Sequence, residues 1–181
     1  MGIWRKAKAK TEGTQSDDLG TLLSAHVAGL RRYARLLVGG GAEADDLVQE
    51  CLARACAQTR PWTEIDDPRA YLFTILHNVH VSRRRRATPL ELPLDSAPTM
   101  AIPATQQERL EIRDLTRALA RLPEEQRQVV LLVGLEGMSY RDVADVLEIP
   151  VGTVMSRLSR GREALRRLMA GDSATPVRLV K

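Results

Sequence analysis

Apolar residues recur at helical spacing through the first half of the chain. From Asp17 to Leu37 they repeat every three or four positions, and the run ends at the three glycines Gly39–Gly41, which predicts a helix that stops there. A second helix is predicted from about Ala42 to Ala55, with carboxylates in its first turn, where they suit the helix dipole. After a loop, Pro68 fits the first position of a third helix that extends to about residue 85.

The second half begins with a segment that cannot form a long helix. Residues 87–107 contain four prolines and no apolar period, which indicates an extended tether. Helical spacing returns near Gln107 and continues to Leu122, and a further helix is predicted from Glu124 to about Glu136, before Gly137. No strand-like alternation is present in the sequence, so the predicted fold class is all-α.

The pattern predicts two small helical domains joined by a Pro-rich tether. Aromatic residues make up only 3% of the chain, so the cores must be built from Leu, Val, Ile and Ala, which favours helices. The predicted segments are a basic tail (1–16), a three-helix domain (17–86), the linker (87–107), a four-helix domain (108–170) and a C-terminal tail (171–181).

The most specific pattern lies at residues 139–168. Ser139 and Asp142 have the spacing of a capping box, ahead of a short predicted helix, Tyr140–Leu147. A tight break at 148–150 leads into a second helix that starts near Val151 and carries an apolar stripe. A short helix, a three-residue turn and a helix with a polar, cationic outer face predict a helix-turn-helix. That outer face consists of Thr153, Ser156, Arg157 and Arg160.

Each residue type on this face suits DNA. The helix N-terminus and the Thr153 hydroxyl can bind phosphate, and Arg157 can donate two hydrogen bonds to a guanine edge, which the short Ser156 allows to approach. Arg160 and the arginines that follow it in the helix are suited to contacts with the DNA backbone. The alternative is an ordinary helical hairpin with a charged face. The agreement of cap, turn and face chemistry over thirty residues favours the DNA-binding interpretation.

Charge distribution supports a polyanionic partner. The net charge is only +4, but Arg83–Arg86 are consecutive, and residues 157–167 hold five more arginines against one Glu. Two basic clusters that are far apart in sequence indicate two contacts with nucleic acid. An isolated run of charges is more often a solvated helix face. The second cluster lies on the predicted helix-turn-helix, and this favours a nucleic-acid contact.

Other functional classes find little support in the sequence. Cys51 and Cys56 are poorly placed to pair or chelate if helical, and His77 and His80 lack further ligands nearby, so we expect no metal site and no cofactor. No nucleophile–base pair or phosphate-binding glycine loop is present, so an enzyme is the least favoured class. With no membrane-length apolar run and no hydrophobic signal region, we expect a cytoplasmic protein without membrane insertion.

Two stretches resemble a known family. Residues 122–168 (LPEEQRQVVLLVGLEGMSYRDVADVLEIPVGTVMSRLSRGREALRRL) resemble region 4 of the sigma-70 family, which reads the −35 promoter element. Two earlier segments resemble region 2, which binds core RNA polymerase and opens the −10 element. They are EADDLVQECLARA at 43–55 and DPRAYLFTILHNVHVSRRRR at 67–86. With only a tether where region 3 would lie, the chain is similar to the extracytoplasmic-function (ECF) group of sigma factors.

The resemblance implies roles for further residues. Asp46, Gln49 and Glu50 fall in the DLVQE match that meets the clamp helices of the largest polymerase subunit, although a solvated helix N-terminus would look the same. The loop at 59–66 matches the segment that captures a flipped −10 base, where Trp62 can supply an apolar wall or can simply pack beside Pro61. The residues implied to follow the separated non-template strand are Asn78, Arg83, Arg84 and Arg85, with Arg86 beside them.

Three positions depart from the family pattern. Met155, on the −35 recognition helix, stands where the family usually has Lys in GTVKSRL, so one cation is lost at the DNA face. Ser82 replaces a common Asp, and Cys56 replaces a frequent Trp. These departures bear on promoter preference and on packing of the first domain.

The expected function is therefore that of a non-catalytic initiation subunit. It would bind core RNA polymerase and promoter DNA, probe −35 and −10 elements together, and act in a stress or envelope response under an anti-sigma factor. Two rivals stay open: a stand-alone helix-turn-helix regulator, which leaves the first domain without a role, and a sigma mimic that sequesters an anti-sigma factor, which would be expected to lose the basic face.

Overall fold

The computed structural model describes residues 15–59, 61–86 and 106–172, and every regular element in these ranges is helical. The predicted linker lies almost wholly outside the described residues, as do most of both predicted tails. The helices are α1 (Gln15–Val38), α2 (Gly41–Ala57), α3 (Pro68–Arg86), α4 (Gln106–Ala120), α5 (Glu124–Val130), α6 (Tyr140–Leu147) and α7 (Val151–Asp172). A short 3-10 turn, Trp62–Glu64, lies between α2 and α3. None of the described helices is both long and apolar enough to cross a membrane.

Helices α1, α2 and α3 pack together as the first unit, residues 15–86. Gly39 ends α1 with φ of +82°, a left-handed conformation that favours glycine. The core is mainly aliphatic, but Tyr33 and Phe73 meet edge to face at its centre, with ring centroids 5.4 Å apart. This unit agrees with the predicted three-helix domain, and its helix boundaries differ from the prediction by at most two residues.

Helices α4 to α7 form the second unit, residues 106–172. The predicted capping box is present: the Asp142 amide donates to Ser139 Oγ at 3.1 Å, and the Ser139 amide donates to Asp142 Oδ2 at 3.1 Å. Glu148 follows α6 with φ of +53°, which turns the chain sharply toward α7. Helix α7 packs on α4, α5 and α6, and it extends to Asp172, two residues past the predicted domain end.

The predicted continuous helix from Glu124 to about Glu136 is interrupted. Leu131–Leu135 forms a π-helical turn, in which the Glu136 amide donates to the Leu131 carbonyl five residues earlier at 3.0 Å. Gly137, with φ of +65°, then ends the helix. One extra residue in the turn shifts the following positions by about 100° around the helix axis. The turn therefore determines where Glu136 points.

The two units pack against each other. Helix α6 lies on α3, and α1 contacts α4 and the α5–π segment. Buried apolar residues of both units form one continuous cluster, which includes Leu30 and Leu76 of the first unit and Leu132 and Val146 of the second. Glu136 is buried in the same region. The sequence predicted two domains and a tether, and it contained no signal for this contact.

Candidate nucleic-acid and polymerase interfaces

The helix-turn-helix consists of α6, the turn at 148–150 and α7. Val154 and Leu158 of α7 are buried against the rest of the unit, as predicted. Val151, predicted to belong to the same stripe, is 38% exposed because it lies at the first residue of α7, beyond the end of the packed surface. The first turns of α7 therefore project from the unit.

The outer face of α7 carries Ser156 and Arg160, both exposed. Arg160 folds back along the helix, with Nε donating to the Ser156 carbonyl at 3.2 Å and Nη2 reaching Ser156 Oγ at 3.4 Å. Ser156 Oγ in turn donates to the carbonyl of Thr153, which is half-buried, at 3.0 Å. These contacts are exposed and local, so DNA phosphates can replace them readily.

Arg157 lies on the flank of α7 rather than on its outermost face. Its Nη2 is 2.6 Å from Glu125 Oε2 of α5, and its side chain is 21% exposed, whereas that of Glu125 is 69% exposed. Helical geometry places residue 157 about 100° from residue 156, on the side facing α5. The guanidinium is thus pre-oriented by one carboxylate, and it must exchange that partner to reach a base.

The opposite flank of α7 exposes two large apolar side chains beside polar ones. Met155 is 51% exposed and Tyr140, the first residue of α6, is 38% exposed. They line a shallow pocket together with Leu158, Ser159, Arg162 and Arg166. Met155 was among the predicted site residues and Tyr140 was not, although the position of Tyr140 directly after the Ser139 cap indicates an exposed helix start.

The loop before α3 brings two aromatic rings together. Trp62, half-buried in the 3-10 turn, meets Tyr71 of α3 edge to face, with centroids 5.7 Å apart. The Tyr71 hydroxyl donates to Gln58 Oε1 at 2.7 Å, which fixes the ring. Tyr71 was not among the predicted site residues, although its spacing indicates the site: Tyr71, Asn78 and Arg85 are each seven residues apart and share one face of α3 over about 21 Å.

The arginines at the end of α3 have different partners. Arg83 donates to Glu50 Oε2 at 2.8 Å and to the Asp46 carbonyl at 3.0 Å, which joins α3 to α2. Arg84 pairs with Glu124 of the second unit. Arg85 and Arg86 are exposed. The four consecutive arginines therefore do not form one uniform patch.

The predicted polymerase-binding residues lie on one stretch of α2. Asp46 and Gln49 are exposed. Glu50 is part of an ion-pair network, with Arg54 Nη2 at 2.6 Å and Arg83 Nη2 at 2.8 Å, and the hydrogen bond from Arg83 above all lowers the pKa of this carboxyl. Asp46 and Gln49 thus offer exposed polar side chains, and Glu50 holds Arg83 in place.

The remaining titratable groups have structural surroundings. Burial raises the pKa of the Cys51 thiol to about 12, and this thiol donates to the Leu72 carbonyl at 3.4 Å. Cys56 is exposed. Burial, reinforced by Arg84, lowers the pKa of His80 to about 4, and burial likewise lowers that of His77. Within the described residues, no group of His, Cys, Asp and Glu side chains is arranged to hold a metal ion.

Comparison with known proteins gives matches over both units. Residues 112–165 match a family model described as Sigma-70, region 4, and residues 23–77 match one described as the Sigma2 domain of PhyR. The chain is 38% identical over 161 residues to the ECF RNA polymerase sigma factor EcfG of Rhodopseudomonas palustris, covering 88% of this chain and 89% of EcfG. It is 35% identical over 150 residues to the ECF RNA polymerase sigma factor SigL of Mycobacterium tuberculosis, covering 80% and 85%.

A solved structure extends the similarity to the fold. The sigma factor RpoE of Bartonella quintana, in complex with the anti-sigma factor NepR, superposes with a TM-score of 0.72 and 31% identity. The superposition covers 86% of this chain and 99% of RpoE. Both units and their order are therefore shared with proteins of one family.

Proposed function

The chain belongs to the ECF group of RNA polymerase sigma factors, and from that premise we propose how its surfaces divide the work of promoter recognition. As a sigma factor it directs promoter-specific initiation by core RNA polymerase. We assign the −35 element to α7, the −10 element to the loop at Trp62 and the outer stripe of α3, and core polymerase to the start of α2. We expect it to act in the cytoplasm, where the polymerase is, by assembly and DNA reading rather than by making or breaking bonds.

The single observation that carries this assignment is the projecting start of α7. Ser156 and Arg160 are exposed there, Arg157 is held beside them by Glu125, and the capping box and the turn at Glu148 fix the angle of the helix. Such a helix fits the major groove, with its N-terminal residues at the base edges. Met155 adds a thioether that can contact thymine methyl groups, where Lys would contact phosphate.

The −10 assignment rests on the paired rings of Trp62 and Tyr71. An unstacked base needs a flat apolar wall and polar groups at its edge. Trp62 is half-buried against Tyr71, so one face of the indole can be fixed by packing while the rest is open. From there Asn78 and Arg85 continue along α3, which gives a separated strand polar and cationic contacts over about 21 Å.

The polymerase assignment predicts the effect of one charge reversal. We expect the polymerase surface opposite these acidic and amide side chains to be basic, so Asp46→Arg should weaken core polymerase binding by about tenfold or more, because facing like charges cost several kcal/mol. Asp46 is preferable to Glu50 because replacing Glu50 would also release Arg83 and Arg54. Asp114→Arg, on α4, is the charge-matched control. Affinity measured by fluorescence anisotropy should fall for Asp46→Arg alone, and equal affinities for both variants would contradict the assignment.

The overall function is tested by run-off transcription. Purified core polymerase is incubated with fragmented genomic DNA of the source, with and without this chain. Discrete transcripts that require the chain are expected, and their start sites give the −35 and −10 sequences. Specific DNA binding by the chain alone, with no transcripts, would instead indicate a stand-alone regulator.

A second candidate is a sigma mimic. Residues 23–77 match a sigma2 domain of PhyR, and PhyR is described as an anti-anti-sigma factor in its complex with NepR. That match shows that the first unit alone does not distinguish the two roles. The second unit distinguishes the two roles, because a mimic has no need of Arg157 and Arg160 on a projecting helix. Absence of transcripts together with binding to an anti-sigma factor would establish the mimic.

We infer an anti-sigma partner from the RpoE–NepR complex, in which a protein of this fold and 31% identity is bound by an anti-sigma factor. The partner of this chain is expected to cover surfaces that polymerase or DNA would otherwise contact. Copurification from the source, followed by inhibition of the run-off assay with the purified partner, tests this inference.

A further inference from the structure

A buried carboxylate of the second unit is held by two arginines of the first. The Glu136 side chain is 2% exposed, and its Oε1 accepts hydrogen bonds from Arg32 Nε of α1 at 3.1 Å and from Arg32 Nη2 at 2.8 Å. Its Oε2 accepts from Arg69 Nη2 of α3 at 3.0 Å, and Arg69 also donates to the Glu136 carbonyl. This three-residue cluster spans the interface between the units.

A second carboxylate joins the units at the other end of α3. Glu124 Oε1 lies 2.9 Å from His80 Nε2, and Arg84 pairs with the same carboxylate. His80 is 6% exposed, so this contact is also largely buried. Arg84 belongs to the arginine run that the resemblance assigns to the separated DNA strand. In the packed arrangement its side chain pairs with the chain's own Glu124 but stays 60% exposed.

The packed arrangement is too small to read a promoter. Elements at −35 and −10 are about 25 base pairs apart, which is about 85 Å of B-DNA at 3.4 Å per base pair. A compact chain of this length has a radius of gyration of about 16 Å and is therefore about 40 Å across. Between Arg86 and Gln106 the sequence can span about 66–72 Å when extended. Simultaneous reading therefore requires the two units to separate.

We propose that Glu136, assisted by Glu124, is an interdomain latch that holds the chain closed, with Arg84 paired to Glu124 in the closed state. A buried ion pair that loses one partner is strongly unfavourable, so Glu136 is stable either with both arginines or in water, and intermediate positions are disfavoured. The latch therefore favours two discrete states. Its role in regulating promoter access rests on the proposed function, whereas its role in closing the molecule does not.

The closed state leaves the proposed polymerase-binding residues free, and what it prevents is simultaneous reading of the −35 and −10 elements. Asp46 and Gln49 on α2 are exposed while Glu136 is latched. Core polymerase can thus dock on the closed chain through α2, and opening then releases Arg84 and lets the second unit reach −35 DNA. The latch acts on the promoter step rather than on the first contact with polymerase.

Gly29 offers a way to break the latch without removing a charge. A Cβ atom at this position of α1 would lie 3.0 Å from Glu136 Oε2, so even a methyl group would push the carboxylate by a few tenths of an ångström, and a larger side chain would displace it further. Leu is a better helix former than Gly, so Gly29→Leu should leave α1 folded while it displaces Glu136. Gly20→Leu is a matched control, because Gly20 is exposed in the same helix and a Cβ added there would have nothing within 4 Å.

Small-angle X-ray scattering of the full chain tests the latch directly. We expect Gly29→Leu to raise the radius of gyration by about 3 Å or more over the compact value, while Gly20→Leu scatters like the unmodified chain. Circular dichroism checks that helicity is retained. An unchanged radius of gyration in a fully helical Gly29→Leu protein would overturn the proposal. Should Gly29→Leu lose helicity, Glu136→Gln decides instead: expansion supports the latch, and unchanged scattering overturns it.

Run-off transcription separates this proposal from the proposed function. At limiting amounts of chain, Gly29→Leu should give several-fold more transcript than Gly20→Leu, since the competent open fraction is larger. If the unmodified chain yields no transcripts at all, the proposed function fails, and the scattering comparison still decides whether the latch exists. If the unmodified chain is active and the opened variant is no more active, the latch does not control promoter access.

Discussion

At the scale of single residues, the guanidinium of Arg157 is the group on which we expect −35 reading to depend most. Arg157→Ala removes a potential bidentate contact with guanine, which is typically worth about 1–3 kcal/mol, or about 5- to 150-fold in affinity. Transcription from a −35-dependent promoter should fall by about that factor, while core polymerase affinity stays unchanged. Quantitative run-off assays and anisotropy measure the two effects separately.

Arg117→Ala is the control for this prediction. Arg117 is an exposed arginine of α4 that pairs with Asp114 one turn away, at 3.7 Å, so the variant removes the same charge elsewhere in the second unit. Equal loss of transcription in both variants would indicate a general charge effect. Loss of polymerase binding by Arg157→Ala would refute the assignment of α7 to DNA.

Residue-scale features were predictable where they depend on local spacing. The capping box of Ser139 and Asp142 follows from four consecutive residues of sequence, and the structure confirms it. The pairing of Arg157 with Glu125 joins positions 32 apart, and their proximity depends on how α5 crosses α7. The sequence indicates a cationic face, but the direction of each guanidinium is determined by distant carboxylates.

At the scale of elements, the crossing of α5 and α7 depends on Gly161. A Cβ at this position would lie 2.7 Å from Val130 Cγ2 and 3.3 Å from Gln126 Cβ. Gly161→Ala should therefore lower the free energy of unfolding by about 1–2 kcal/mol, because overpacking of about 1–3 kcal/mol exceeds the helix-propensity gain of about 0.5–1 kcal/mol. Urea denaturation followed by circular dichroism measures the change.

Gly152→Ala provides the comparison within the same helix. No atom lies within 4 Å of a Cβ at residue 152, so only the propensity gain applies and stability should rise slightly. Stabilisation by both substitutions would show that the α5–α7 contact relaxes to accept a methyl group. The contrast between the two glycines thus isolates the packing contribution.

Helix positions were predicted well because apolar period, glycines and prolines are local signals. The π-helical turn at Leu131–Leu135, which interrupts α5, was not predicted, because the apolar run there fits an α-helix equally well. The turn orients Glu136 toward Arg32 and Arg69 of the first unit. A contact over 104 residues leaves no trace in a short sequence window.

At the scale of the whole molecule, the closed packing of the two units links local chemistry to promoter access. The sequence predicts both units and the tether, because each has its own apolar period or its prolines. The sequence does not predict that α6 lies on α3, because the same apolar residues could equally be buried within a single unit. In the sequence, carboxylates of the interface such as Glu124 look like ordinary residues at a helix N-terminus.

His80 makes the stability of this closed molecule dependent on pH. In the folded chain burial lowers the pKa of His80 to about 4, whereas an unfolded histidine takes up a proton near pH 6.5. Between these values the unfolded state binds more protons, so the free energy of unfolding falls as the pH drops from about 6.5 to about 4, by up to about 1.4 kcal/mol per pH unit for this group. The charged and titratable groups around it are Glu124, Arg84, Arg83, Glu43, Arg127 and His77.

His80→Gln should flatten this dependence, because glutamine can donate to Glu124 as the neutral imidazole does but cannot be protonated. Urea denaturation at pH 7, 6 and 5 should show a smaller loss of stability in the variant than in the unmodified chain. Some slope will remain, since His77 also has a lowered pKa and titrates in the same direction. Equal slopes in the two proteins would show that the pKa of His80 is not lowered in the folded chain. A smaller loss of stability in the unmodified chain than in the variant would show that Glu124 holds a protonated His80, so that acid strengthens the contact between the units.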